Sequence, residues 1–158
     1  MIIYTDIKNT FSLLSVKTRE RTLELRKEAV ELVKEYEKSL MLETDFWVDS
    51  KGMQHPYVDE GIDDNGTFNS RPVAAARLDN DYALNFVLKT IVDDSIRGGS
   101  AMHVNVKMKY INNTLLVCIG EDAELLHVIA DNVPGRFNEV TERIKETVID
   151  ALNKRMPE

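Results

Sequence analysis

The sequence predicts an α+β fold: one domain over residues 1–158, in which an antiparallel sheet of about four to six strands is flanked by a long N-terminal helix and by C-terminal helices. Three observations predict it. Leu25, Ala29, Leu32, Tyr36 and Leu40 recur at three or four residues, the period of a helix with one apolar face. Residues 103–120 alternate in polarity on either side of Asn112-Asn113, the period of a hairpin. Phe137, Val140, Ile144, Val148, Ala151 and Leu152 form a second helical stripe at the end of the chain.

Before the first stripe, Ile7, Phe11 and Leu14 fall at i, i+4 and i+7, which suits a short helix starting after Thr5. From Thr18 to Leu42 the helical pattern is strong, Val33 broadens its apolar face, and neither glycine nor proline interrupts it. Glu24–Lys27, Glu31–Lys34 and Glu35–Lys38 can pair at i, i+3, each worth about 0.2–0.5 kcal/mol. Charged helices of this kind occur as coiled-coil arms, but the stripe spans few heptads and packing on a sheet explains it more simply.

Phe46-Trp47-Val48 reads as a strand, Ser50-Lys51-Gly52 as a turn, and Met53 to Val58 as the returning strand. Pro56 lacks a backbone N–H, which assigns that strand to a sheet edge. Asp64-Asn65-Gly66-Thr67 is a second turn, because Asn-Gly tolerates positive φ. Residues 73–78 are a candidate strand, although Val73-Ala74-Ala75-Ala76 has weak β propensity. After the turn-like Asp79-Asn80-Asp81, Tyr82, Leu84, Phe86 and Leu88 alternate with Ala83, Asn85 and Lys89. That is a strand period, in a stretch that is also compatible with a helix.

Pairing residues 103–111 with 114–120 across a two-residue loop sets Tyr110 opposite Leu115, Met108 opposite Val117 and Val106 opposite Ile119. All six then share one apolar face, and a shift of one residue would break the match. Asn105, Lys107 and Lys109 fall on the other face with Leu116 and Cys118. Next, Glu121 and Asp122 with Leu125, Leu126 and Ile129 predict a helix, stopped at Asn132-Val133-Pro134-Gly135. No internal repeat or linker divides the chain; Gly98-Gly99-Ser100 is only a loop.

Hydrophobic residues make up 43% and charged residues 30% of the chain, ordinary values for a folded domain. Cys118 is the sole cysteine, so no internal disulfide can form and a reducing compartment is expected. The first residues carry no basic n-region and apolar h-region, the last ones no lipidation box, and Leu115–Ile119 is far shorter than a membrane span. The expectation is a cytoplasmic protein. Its net charge of −7 makes nucleic acid and anionic membrane poor partners.

The charge is concentrated. Between residues 43 and 66, Glu43, Asp45, Asp49, Asp59, Glu60, Asp63 and Asp64 face Lys51 alone, seven negatives against one positive, or −6. Trp47, His55 and Tyr57 lie in the same segment. Aromatics supply contact area at interfaces and acids supply steering. Trp47, Tyr57, Asp59, Glu60, Asp63 and Asp64 are therefore the candidate binding residues, for a basic protein partner. A simpler account buries Trp47 and Tyr57 on the inner side of the first hairpin and leaves the acids merely solvated.

Catalytic motifs are missing. His55, His103 and His127 lie in different elements and Cys118 has no second thiol, so neither a metal nor another cofactor is expected. Aligned as a calcium loop with Gly66 sixth, the chain has Asp63 third and Asn65 fifth, but Gly61 first and Pro72 twelfth. The motif requires an acid at both of those ends. Ser100 follows two glycines without a nucleophile elbow, and no phosphate-binding glycine loop occurs. The acid pairs Asp59-Glu60, Asp63-Asp64 and Asp93-Asp94 are expected to be solvated turn residues. Two function classes remain. One is an acidic binding module that holds, neutralises or escorts a basic protein, as immunity proteins and secretion chaperones of this size and acidity do. The other is a small enzyme or ligand-binding domain with a pocket between sheet and helices.

Overall fold

The computed structural model describes residues 1–121, 124–129 and 133–158. Helix α1 runs without a break from Tyr4 to Ser39, about 54 Å at helical rise. The expected short N-terminal helix and the longer one after it are thus a single element. With no glycine or proline between them, nothing interrupts the backbone ladder. The Asp6 carboxylate accepts the Ile3 backbone N–H at 2.9 Å and so closes the first turn.

Strands β1 (Phe46–Val48) and β2 (Gln54–Pro56) form a separate two-stranded ribbon. The remaining strands are β3 (Val58–Asp64), β4 (Thr67–Ser70), β5 (Leu84–Ile91), β6 (Ala101–Ile111), β7 (Thr114–Ile119) and β8 (Leu126–Val128). They pair antiparallel throughout, in the order β4-β3-β5-β6-β7-β8. Helix α2 (Asn138–Asn153) closes the chain.

Both helices lie on one face of the large sheet. Leu84, Met108, Val117 and Leu126 align across four strands, with Phe86, Val106 and Ile119 in the next row and Leu88 and Val104 beyond. Leu25, Leu32 and Tyr36 of α1 and Val140 and Ile144 of α2 complete this core. The Tyr36 hydroxyl pairs with Thr90 at 2.7 Å inside it. Lys145 donates to the Ser39 carbonyl and ties α2 to the end of α1. The opposite sheet face is polar, with Asp59, Lys89 and His103 in one row and Asn85, Lys107 and Cys118 in another.

The register expected for 103–120 is the one observed, pair for pair. Asn112 and Asn113 both take positive φ, as a tight primed turn requires. Asn65 and Gly66 do likewise between β3 and β4. Three expectations are corrected. Met53–Val58 is not one strand: residues 54–56 pair with β1, whereas Val58 opens β3 in the other sheet. Residues 73–78 do not return as a strand, and after Pro72 the alanine-rich run makes a 3-10 turn over Val73–Ala75. The helix expected after Glu121 is contradicted by β8, where Leu126 and Val128 are buried and His127 is exposed. Its Leu125 and Ile129 are exposed, because burial there follows a period of two. Among the described residues, one C-terminal helix is present rather than two. Asp122, Ala123 and Ala130–Asn132 belonged to that expectation and lie outside the described residues.

Candidate functional site

The β1–β2 ribbon is organised by Asp49. Its Oδ1 accepts the backbone N–H groups of Lys51 and Met53, at 2.8 and 3.0 Å, which shapes the turn. Its Oδ2 takes Nε2 of His55 at 2.8 Å. The His55 hydrogen bond, then that of Met53, holds the Asp49 carboxyl below its ordinary value. This contact also aims the imidazole, which stacks on Trp47, its cross-strand partner, with ring centres 4.7 Å apart.

Trp47 turns inward and is 7% exposed. Its ring lies against the 98–100 loop at Gly99, where a Cβ would come within 3.1 Å of the indole and where φ is +108°. Only glycine meets both conditions without strain. The indole Nε1 is buried and has no hydrogen-bond partner among the described residues. A buried donor left unmet costs about 1–3 kcal/mol, so a ligand atom that accepts from it would gain that amount back.

Tyr57 stands where the chain passes from the ribbon to the sheet, its carbonyl accepting the Ile91 N–H. Its hydroxyl donates to Asp94 at 2.7 Å. That bond, with desolvation and the charge of Glu43 behind it, pushes the hydroxyl above its usual phenol value and outweighs a hydrogen bond from Thr44. Glu43, Asp94 and Tyr57 therefore sit together. Asp59 follows on the polar sheet face, directly across from Lys89. The Lys89 ammonium leans towards the Phe68 ring, 5.6 Å from its centre, and Phe68 in turn stacks on His103.

Between ribbon and sheet these residues leave a hollow of about 350 Å³ lined by Trp47, His55, Tyr57, Asp59, Lys89 and Gly99. It combines aromatic faces, one buried donor and a carboxylate, with Glu43 and Asp94 behind the tyrosine. No family model, curated protein or solved structure matches this chain.

Of the six residues read as binding from the sequence, the fold brings Trp47, Tyr57 and Asp59 together at this hollow. It does not bring Glu60, Asp63 and Asp64 there. Glu60 accepts the Val73 N–H at 2.6 Å and anchors the 3-10 turn. Asp63 caps the Gly66 N–H at 2.8 Å, and Asp64 lies exposed beside that turn. Lys89, Asp94 and Gly99 were not read as part of a site. The alternation over 82–89 already set Lys89 on the polar face, but nothing local announces that the 98–100 loop meets Trp47.

Elsewhere, the space between sheet and helices is filled by Leu25, Leu32, Tyr36, Phe137 and Ile144. A hollow of about 540 Å³ opens beside the 3-10 turn, walled in part by Arg71 and Arg77. Among the described residues, no three His, Cys, Asp or Glu side chains gather as metal ligands, and no helix is long and apolar enough to cross a membrane.

Proposed function

We propose that the protein is a protein-binding module that takes a basic segment of its partner at the Trp47–Tyr57 hollow. The observation that carries this reading is the hollow walled by Trp47, His55, Tyr57 and the Asp59 carboxylate, whose tryptophan keeps a buried Nε1 with no partner among the described residues. A polypeptide answers each feature. A backbone carbonyl accepts from the indole, and a lysine or arginine side chain finds the faces of Trp47 and Tyr57 and the carboxylates of Asp59 and Asp94. The −6 charge over residues 43–66 steers such a segment inward at low salt. Lys89 opposes it least where its ammonium leans on Phe68.

The test is fluorescence anisotropy with labelled lysine- and arginine-rich peptides. Binding is expected to weaken with added salt and to fall roughly tenfold in a D59N/D94N variant, for about 1.4 kcal/mol of lost charge contacts. Equal binding of glutamate-rich peptides, or no effect of the double substitution, would overturn the reading.

A further inference from the structure

We propose that the N-terminal arm of α1 is a dimerisation element that pairs antiparallel with the arm of a second copy of this chain. The inference does not depend on the hollow at Trp47.

Every residue from 1 to 17 is exposed, although the chain is helical from Tyr4 onwards. The arm therefore runs as helix largely clear of the body, and only its end, at Leu14 and Lys17, borders a hollow with Tyr82, Lys109 and Tyr110. Its continuation into the body supplies the helix nucleus, and Asp6 caps its start. Along it, Tyr4, Ile7, Phe11 and Leu14 are 76%, 61%, 67% and 49% exposed. Their spacing is three, four, three, the a and d positions of a coiled-coil seam. Thr18 and Arg21 come next on the stripe, and the Arg21 guanidinium already lies 4.6 Å over Tyr110 of the body. Leu25 then enters the core. The seam thus ends where the domain begins.

A second copy fits this seam better than other occupants. The three-four-three spacing reads the same in both directions. Antiparallel pairing therefore stacks Tyr4 on Leu14 and Ile7 on Phe11 in four layers, one aromatic ring against one aliphatic side chain in the outer pair and likewise in the inner. A parallel pair would set ring on ring and aliphatic on aliphatic. It would also bring two acidic bodies to one end. The arm holds Asp6, Lys8 and Lys17, a net +1, so the remainder of each chain carries −8 of the total −7. Antiparallel arms keep those bodies apart. The residues flanking the seam are Ile3, Lys8, Thr10, Ser15 and Lys17. Lys8 and Lys17 are the only charges among them, all of one sign, so the flanks lend self-pairing no charge attraction, and solvent and salt screen the repulsion between these exposed lysines. With aromatic side chains of ordinary size, the four layers bury roughly 1,000 Å² over both copies, the lower bound for a specific interface. A bilayer would also accept the apolar stripe, but the −8 body is repelled by anionic lipid.

Sedimentation of the full chain over micromolar to submillimolar concentrations tests this. The mass is expected to rise from 18.0 kDa to twice that value. Phe11→Asp should weaken association more than tenfold, on the order of 1.4 kcal/mol or more, with the helix signal and melting of the body unchanged. Asn9→Asp, on the outer side of the arm, should leave the mass unchanged. In a Cys118→Ser background, Thr10→Cys lies near the two-fold centre of the antiparallel pair and should form an intermolecular disulfide on oxidation; in a parallel pair the two thiols fall on opposite sides. A monomer at every concentration, a dimer indifferent to Phe11→Asp, a cysteine variant that does not cross-link, or a monomer that instead sediments with phospholipid vesicles would overturn the proposal.

Discussion

Asp49 and Asp79 do the same work at two turns. Asp79 Oδ1 accepts the N–H groups of Asp81 and Ala83, and Oδ2 takes the Asn85 amide. Partial burial works to raise its carboxyl, but the donors of Ala83, Asn85 and Asp81, with the charge of Lys107, outweigh it and hold the group low. Asp49, through His55 and Met53, and Asp93, through Ser95, are held low as well. A carboxylate depressed in the folded state stabilises the fold above its unfolded value, about 3.9, and loses that contribution as pH falls through the folded value. Stability should therefore be flat from neutral pH down to about 5 on account of these groups and decline below about 4. Asp79→Ala should cost about 1–2 kcal/mol at neutral pH by stranding turn donors and should flatten part of that decline. Urea unfolding across pH measures both, and an unchanged acid limb would refute the assignment.

At the scale of elements, α1 is held to the rest of the chain by a buried charge group. Arg136 donates to Glu28 and, at 2.7 and 3.2 Å, to Glu31, while its guanidinium lies 4.4 Å over Phe137. Burial works to lower the arginine, but the two carboxylates outweigh it and keep it above its ordinary value. The Arg136 and Glu28 side chains are each 4% exposed. Arg136→Ala withdraws the cation from a buried carboxylate and should cost about 3–5 kcal/mol, whereas Arg136→Met with Glu28→Leu should be close to neutral. Equal losses for the two variants in denaturant unfolding would contradict this. None of this group was visible in the sequence: Glu28 reads as one more charge on a charged helix, and its partner lies 108 residues away. The hairpin of β6 and β7 was readable, because six alternating apolar residues and an Asn-Asn loop admit one register. β8 was not, since three residues are too few to separate a period of two from a helical one.

Across the whole molecule, local pattern and long-range contact divide what could be read. Apolar period assigned α1, the β6–β7 hairpin and α2, and therefore the α+β class. The acidic, aromatic segment was visible as composition, and half of its candidate residues do meet at one hollow. The others were drawn away by backbone duties that composition does not reveal: Glu60 holds Val73, and Asp63 holds Gly66. The contacts that build the hollow join residues 47, 57, 89, 94 and 99 through the order of strands, which no single stretch encodes.

Trp47 is the chain's one tryptophan, so its emission reports on the hollow alone. Titration with a lysine- and arginine-rich peptide should shift that emission saturably, as the indole N–H gains an acceptor, and Asp59→Asn should move the midpoint to higher peptide concentration. An emission that stays unchanged at saturating basic peptide, or that shifts equally with a glutamate-rich one, would contradict the account.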